Sequence, residues 1–145
     1  FGINVRGPFF LMQDAIKLMV REATHGAIVN IGSVSALTGQ PFIAAYCASK
    51  GALATLTRNT AFAVMRNRIR VNQLNIGWTN TPNEYKARIA MGYAEDWLAD
   101  AEAKQPFGRL LTTDDVARAI VGLISGPDLV TGHVLPIDGG ALIPG

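Results

Sequence analysis

The residues best suited to chemistry in this sequence are a tyrosine and a lysine four positions apart, Tyr46 and Lys50. They stand in the run Ala44-Ala45-Tyr46-Cys47-Ala48-Ser49-Lys50-Gly51-Ala52-Leu53. On a helix that spacing returns to one face, so the phenol and the ammonium project together. A phenol ordinarily titrates near 10, and ionising one near neutrality takes about 4 kcal/mol of extra stabilisation of the phenolate. A fixed neighbouring cation supplies much of it. Ser33, thirteen residues before the tyrosine, ends an apolar, strand-like run. Its hydroxyl could bind a substrate oxygen, the tyrosine could exchange a proton with that oxygen, and the lysine could hold the phenolate. Such a trio suits proton transfer coupled to hydride transfer at a carbon–oxygen centre. A hydrolytic serine triad lacks support, because no histidine or carboxylate occupies a plausible partner position. Taken alone, the tyrosine–lysine spacing is also what an ordinary helix start offers, with a packed ring and a solvated amine.

The elements needed to hold these residues are legible in the pattern of apolar positions. Phe9, Phe10, Met12, Ala15, Ile16, Met19 and Val20 recur at helical steps, predicting a helix over 4–24 that Gly26 ends as a left-handed cap. Ala27 to Ile31 is a nearly continuous apolar run, the mark of a strand buried on both faces. A loop of small residues over 32–45 leads to a second helix over 46–65, and 70–76 forms a second strand stopped by Gly77. Residues 78–108 are irregular or helical. Thr113-Asp114-Asp115 opens a third helix over 114–125, its acidic first turn suiting the helix dipole. A third strand follows over 132–137. Alternating helices and strands imply parallel strands with right-handed crossovers, an α/β layered sheet forming one domain over residues 1–145. Ligands of such sheets lie beyond the carboxyl ends of the strands, where both Ser33 and the segment from Gly77 to Thr81 fall.

Bulk properties narrow the classes. With 49% hydrophobic and 17% charged residues the chain can bury a sizeable core, and a net charge of +2 without a basic–aromatic cluster argues against nucleic-acid binding. Cys47 is the single cysteine, which excludes an internal disulfide and a multi-cysteine metal site; it is expected as a small buried residue. His25 and His133 lack ligand-like spacing, so no metal site is expected. No stretch approaches the roughly 20 apolar residues of a membrane span, and the beginning, Phe1-Gly2-Ile3-Asn4, has no basic leader. A cytoplasmic protein entered partway through its chain is the expectation.

At this level the sequence resembles the short-chain dehydrogenase/reductase family, nicotinamide-dependent oxidoreductases with a Rossmann-type doubly wound sheet. The resemblance rests on Asn4-Val5-Arg6-Gly7, Ile28-Val29-Asn30-Ile31-Gly32-Ser33, Tyr46-Cys47-Ala48-Ser49-Lys50, Arg70-Val71-Asn72, Gly77-Trp78 with Thr81-Pro82, and Asp138-Gly139-Gly140. It implies that Tyr46 is the general acid/base and that Lys50 assists it and binds the nicotinamide ribose. It further implies that Ser33 positions the substrate oxygen and that Asn4 holds a water in a proton relay. Ile76, Gly77, Thr79 and Thr81 would face the cofactor, NAD or NADP, with Ile76 where the family usually has proline. Ser33, Ser35, Tyr46 and Trp78 would line the substrate site. A homotetramer or dimer built on the helices over 4–24 and 46–65 is implied as well.

A separate physical reason favours Asn4. Pro8, four residues later, has no N–H to give the Asn4 carbonyl, and a freed buried carbonyl needs another partner, for which an ordered water is suited. The phosphate-cradling glycine-rich turn of the family is missing from the sequence, so the chain corresponds to the family's C-terminal half, three helix–strand units. The aromatics of the segment over 83–108 either line a pocket or anchor the segment. Lys86, Arg88 and Lys104 are expected to be solvated, with Arg109 tying the segment to the body. A sugar or polyol, a short hydroxy acid and a 3-oxoacyl thioester all fit, with the two tryptophans inclining slightly toward a sugar. A catalytically silent fragment or pseudoenzyme, acting as a binding or oligomerisation module, is the alternative.

Overall fold

In the computed structural model, which describes residues 1–126 and 128–143, three parallel strands form one sheet in the order β1-β2-β3. They are β1 (Ala27–Ser33), β2 (Arg70–Ile76) and β3 (Val134–Ile137). Among the described residues five α-helices accompany them: α1 (Gly7–Arg21), α2 (Ala44–Val64), α3 (Pro82–Ala90), α4 (Trp97–Ala103) and α5 (Thr113–Ser125). The layered parallel α/β architecture of a Rossmann-type sheet is thereby present, and β1 has no strand on its outer edge among the described residues.

Strand alternation assigns the helices to faces. Val71 packs with Met12 of α1 and with Ala61 and Val64 of α2, so those helices share one face. Arg70, one residue earlier, points the other way and donates to the carbonyls of Leu123 and Ile124 at 2.6 and 2.7 Å, holding the end of α5 on the opposite face. Helix α2 presents Ser49, Leu53, Ala54, Thr57, Ala61 and Val64 to the interior at helical steps. Its small residues let it lie close to the sheet. Thr57 receives the Asn30 amide at 2.8 Å and donates toward Gln73 Oε1 at 3.1 Å, so polar groups buried between helix and sheet partner one another.

Gly32 shows how tight that interface is. A β-carbon there would run into Asn75 Oδ1 and Gln73 Nε2, two groups already bonded to each other at 2.7 Å. Gly32→Ala is therefore expected to cost about 1–3 kcal/mol, the usual range for overpacking, measured as a lowered urea midpoint at unchanged slope.

Several boundaries differ from the sequence reading. The first helix begins with a π turn over Gly2–Arg6 before α-geometry starts at Gly7, because Pro8 cannot donate to an i−4 carbonyl. The left-handed residue after α1 is Ala23, φ 51°, not Gly26; Gly26 is small because a β-carbon would strike the Met19 side chain. Helix α5 is capped by Thr112, one residue ahead of the expected Thr113, through a reciprocal box with Asp115. Arg109 also pairs with Asp115, which holds that carboxyl well below the usual carboxylate range. Cys47 is half-buried instead of buried. Among the described residues no helix is long and apolar enough to cross a membrane.

Candidate active site

The register sets the carboxyl ends of the three strands side by side: Ser33 is opposite Ile76, and Ile76 is opposite Ile137. The chain leaves each strand in a tight turn at this edge. Beyond β1, Ser33 is extended and its Oγ accepts the backbone N–H of Ser35 at 3.1 Å, starting a 3₁₀ turn. The Ser33 hydroxyl proton is thus left to donate. Ser35 donates in turn to Gln40 Oε1 at 3.2 Å, which braces the loop. Beyond β2, the Gly77 N–H donates to the Ile137 carbonyl at 2.9 Å. A β-carbon on Gly77 would stand 2.9 Å from Asp138 Cα, so only glycine permits this approach. Beyond β3, both carboxylate oxygens of Asp138 receive backbone N–H groups, from Gly140 and Leu142, closing the turn.

Helix α2 begins at Ala44 and brings Tyr46 and Lys50 over this edge. The Lys50 ammonium donates to the Ile31 carbonyl at 2.9 Å, two residues before Ser33 on the same strand. It lies 5.6 Å from the centre of the Tyr46 ring. Burial pulls the Lys50 ammonium below its ordinary 10.5, while two of its three N–H groups stay available beside the phenol. Tyr46 is 38% exposed, with its ring at the mouth of the site.

Two cavities border this pair, one at Tyr46 and the other at Lys50. A cleft of about 560 Å³ is lined by Ser33, Ser35, Tyr46, Ile76, Gly77, Trp78, Thr79 and Thr81, so every expected cofactor- and substrate-facing residue except Lys50 borders it. A second cavity of about 390 Å³, between α1, α2 and β1, takes in Asn4, Pro8, Ile31 and Lys50. Asn4 therefore stands behind the tyrosine, not in the cleft. Its amide donates to Ser49 Oγ at 3.0 Å, and Ser49 donates to the Tyr46 carbonyl at 2.7 Å. Asn4 thus buttresses the first turn of α2.

The loop after β2 has its own internal bonds. Thr79 Oγ1 donates to the Gly77 carbonyl at 3.1 Å, and Thr81 Oγ1 accepts the Glu84 N–H at 3.1 Å as the N-cap of α3. Trp78 is fully engaged. Its ring stacks on Trp97 at 5.8 Å, the Arg88 guanidinium lies over it at 4.7 Å, and its indole N–H donates to Glu84 at 2.8 Å. The tryptophans anchor the segment, and the inclination toward a sugar loses its basis in free aromatic faces. Arg88, expected to be solvated, is instead half-buried and paired with Glu84 at 2.8 Å. Gln40, Ile43, Glu84 and Arg88 line the cleft without having been expected there from the sequence. A Glu–Arg pair at four-residue spacing after a Thr-x-x-Glu cap is the signal that could have drawn attention to two of them.

A family model described as enoyl-(acyl carrier protein) reductase matches residues 1–141. The chain is 39% identical over 140 residues to a protein of Xanthobacter autotrophicus named inactive 2-(S)-hydroxypropyl-CoM dehydrogenase 2, covering 96% of this chain and 60% of that protein. Among solved structures, ElxO with NADP bound superposes with a TM-score of 0.85 at 33% identity, covering 97% of this chain and 56% of that one. A 4-hydroxyisoleucine dehydrogenase complexed with NADH gives 0.83 at 32% identity, covering 99% and 58%. The chain spans little more than half the length of these relatives. It belongs to the short-chain dehydrogenase/reductase family.

Proposed function

We propose that this member of the short-chain dehydrogenase/reductase family carries the C-terminal, proton-transfer half of an oxidoreductase that interconverts a secondary alcohol and a ketone with NAD or NADP. The observation that carries this reading is the joint placement of Ser33 and Tyr46 on one cleft with the Lys50 ammonium fixed beside the tyrosine ring. Ser33, whose oxygen already accepts a backbone N–H, donates its own proton to the substrate oxygen. Tyr46 takes the hydroxyl proton during oxidation and returns it during reduction. Lys50 holds the negative charge that the phenol acquires. Asn4, through Ser49, fixes the turn carrying Tyr46, and the cavity it shares with Lys50 is large enough for a short chain of water to deliver protons.

The residues present fit the nicotinamide end of the cofactor. The polar backbone from Ile76 to Thr79 and the Thr81 hydroxyl border the same cleft as Tyr46, and Lys50 has N–H groups left for ribose hydroxyls. When bound, the nicotinamide supplies or accepts the hydride. Support for NAD or NADP comes from the solved relatives, which hold NADP in one case and NADH in the other. Exposed Phe9, Phe10 and Leu18 on α1 and Phe62 and Met65 after it on and beyond α2 suit burial against further copies of the chain, as a dimer or tetramer. A cytoplasmic location completes the reading.

One observation favours the alternative, a silent binding module: the Xanthobacter relative is named inactive. Assay of the full-length protein separates the two. Nicotinamide reduction on addition of a panel of secondary alcohols is the expected result, read by absorbance. Tight binding of the reduced cofactor without turnover of any alcohol or ketone would support the silent module.

A further inference from the structure

Glu84 and Arg88 are the two charged side chains among the residues lining the cleft. Each is only 27% exposed. One oxygen, Glu84 Oε1, receives both the Trp78 indole N–H and Arg88 Nε, each at 2.8 Å. Oε2 enters no hydrogen bond among the described residues. The Arg88 fork is held over Trp78 at 4.7 Å and beside Tyr93 at 5.2 Å, with Nη1 3.3 Å from the Tyr93 hydroxyl. Its Nη2 likewise has no partner among the described residues. Among the described residues the pair thus keeps the Oε2 acceptor and the Nη2 donors unused, with the guanidinium held by aromatic packing and the carboxylate by its two bonds.

We propose that Glu84 and Arg88 select the substrate, favouring a neutral molecule that carries a second hydroxyl on a carbon other than the reacting one. This rests on the oxidoreductase reading above. A hydroxyl both donates and accepts, so it can give its proton to Oε2 while receiving an N–H from Nη2. A carboxylate or phosphate ester cannot donate to Oε2, and it gains little from Arg88, whose charge Glu84 already balances. A plain hydrocarbon tail leaves both groups desolvated and unpaired, which is the costlier mismatch for a buried polar pair. The unused acceptor and donors of one ion pair therefore discriminate against both other classes. Preorganisation by Trp78 and Tyr93 sharpens the choice, since little side-chain freedom is lost on binding.

The test compares 2,3-butanediol, 2-butanol and 3-hydroxybutyrate as substrates of the full-length protein and of Glu84→Gln, which keeps the size of the side chain and its bond from Trp78. The expected wild-type order in kcat/KM places the diol first. In Glu84→Gln the diol-to-butanol ratio falls at least tenfold, mainly through KM. Arg88→Lys, which keeps the charge and loses the fork, lowers the same ratio. Lys86→Ala, exposed on the same helix, leaves it unchanged. Tryptophan fluorescence checks that the Trp78–Trp97 stack persists. Equal loss on the diol and on butanol in Glu84→Gln would mean that the pair only braces the loop. A wild-type preference for 2-butanol or 3-hydroxybutyrate would likewise overturn the proposal while leaving the oxidoreductase reading intact. Failure to turn over any of the three with either nucleotide would count against both.

Discussion

Tyr46→Phe in the full-length protein is expected to lower kcat by about 10²–10⁴-fold, the range that a positioned general acid–base contributes, with nucleotide affinity and folding close to wild type. The ring sits at the mouth of the cleft with 38% of its surface exposed. Its contact with Lys50 is through the ring, 5.6 Å from the ammonium, and phenylalanine retains that ring. Surface-proximal changes that leave no buried group unpaired usually stay within about 0.5 kcal/mol. The substitution therefore isolates the hydroxyl. Stopped-flow absorbance with saturating alcohol and nucleotide measures the chemical step, and a urea titration measures stability. Retention of wild-type kcat would remove Tyr46 from the proton-transfer role and with it the mechanism.

Ser33→Ala makes an instructive contrast, since Ser33 Oγ also accepts the Ser35 N–H that opens the turn after β1. Its loss mixes positioning of the substrate with positioning of the loop. The hydroxyl of Tyr46 carries no such double duty, so it gives the cleaner measurement.

Local spacing made the centre of this site legible. Tyr46 and Lys50 need only helical periodicity to share a face, and Ser33 needs only the end of an apolar run. The parallel sheet then follows from alternating elements, and its register places Ser33 beside Ile76. What the sequence hid depends on contacts between distant segments. Asn4 is noticeable for the proline after it, yet its amide partner, Ser49, is 45 residues away. Glu84 and Arg88 look like any solvated pair on a helix; they line the cleft because the Thr81 cap starts α3 beside Trp78, and because Trp97 from α4 pins Trp78 in place. Gly26 looked like a cap because glycine usually ends helices, but the chain turned three residues earlier, at Ala23, and kept Gly26 to pass Met19.

Lys50 yields the second large effect, and pH distinguishes its roles. A cation at a separation near the 5.6 Å ring contact stabilises a phenolate by about 3 kcal/mol at an effective dielectric of about 20. Lys50→Met is therefore expected to lower kcat/KM by roughly 10²-fold. Burial pulls the ammonium below 10.5, so the wild-type profile should lose activity on an alkaline limb that begins below that value, where Lys50 gives up its proton. Lys50→Arg stays charged throughout; its activity at neutral pH falls from altered geometry, but that alkaline limb moves upward. The stability consequence has the opposite sign. A lysine whose folded pKa is depressed holds fewer protons folded than unfolded between its two pKa values, so stability rises with pH across that window. Below it, the half-buried charge is a cost, and Lys50→Met relieves it while forfeiting the bond to the Ile31 carbonyl. The methionine variant should thus lose the pH-dependent rise in stability together with most of its activity. An alkaline limb that stays in place in Lys50→Arg would show that another group sets it, and would detach Lys50 from the phenol.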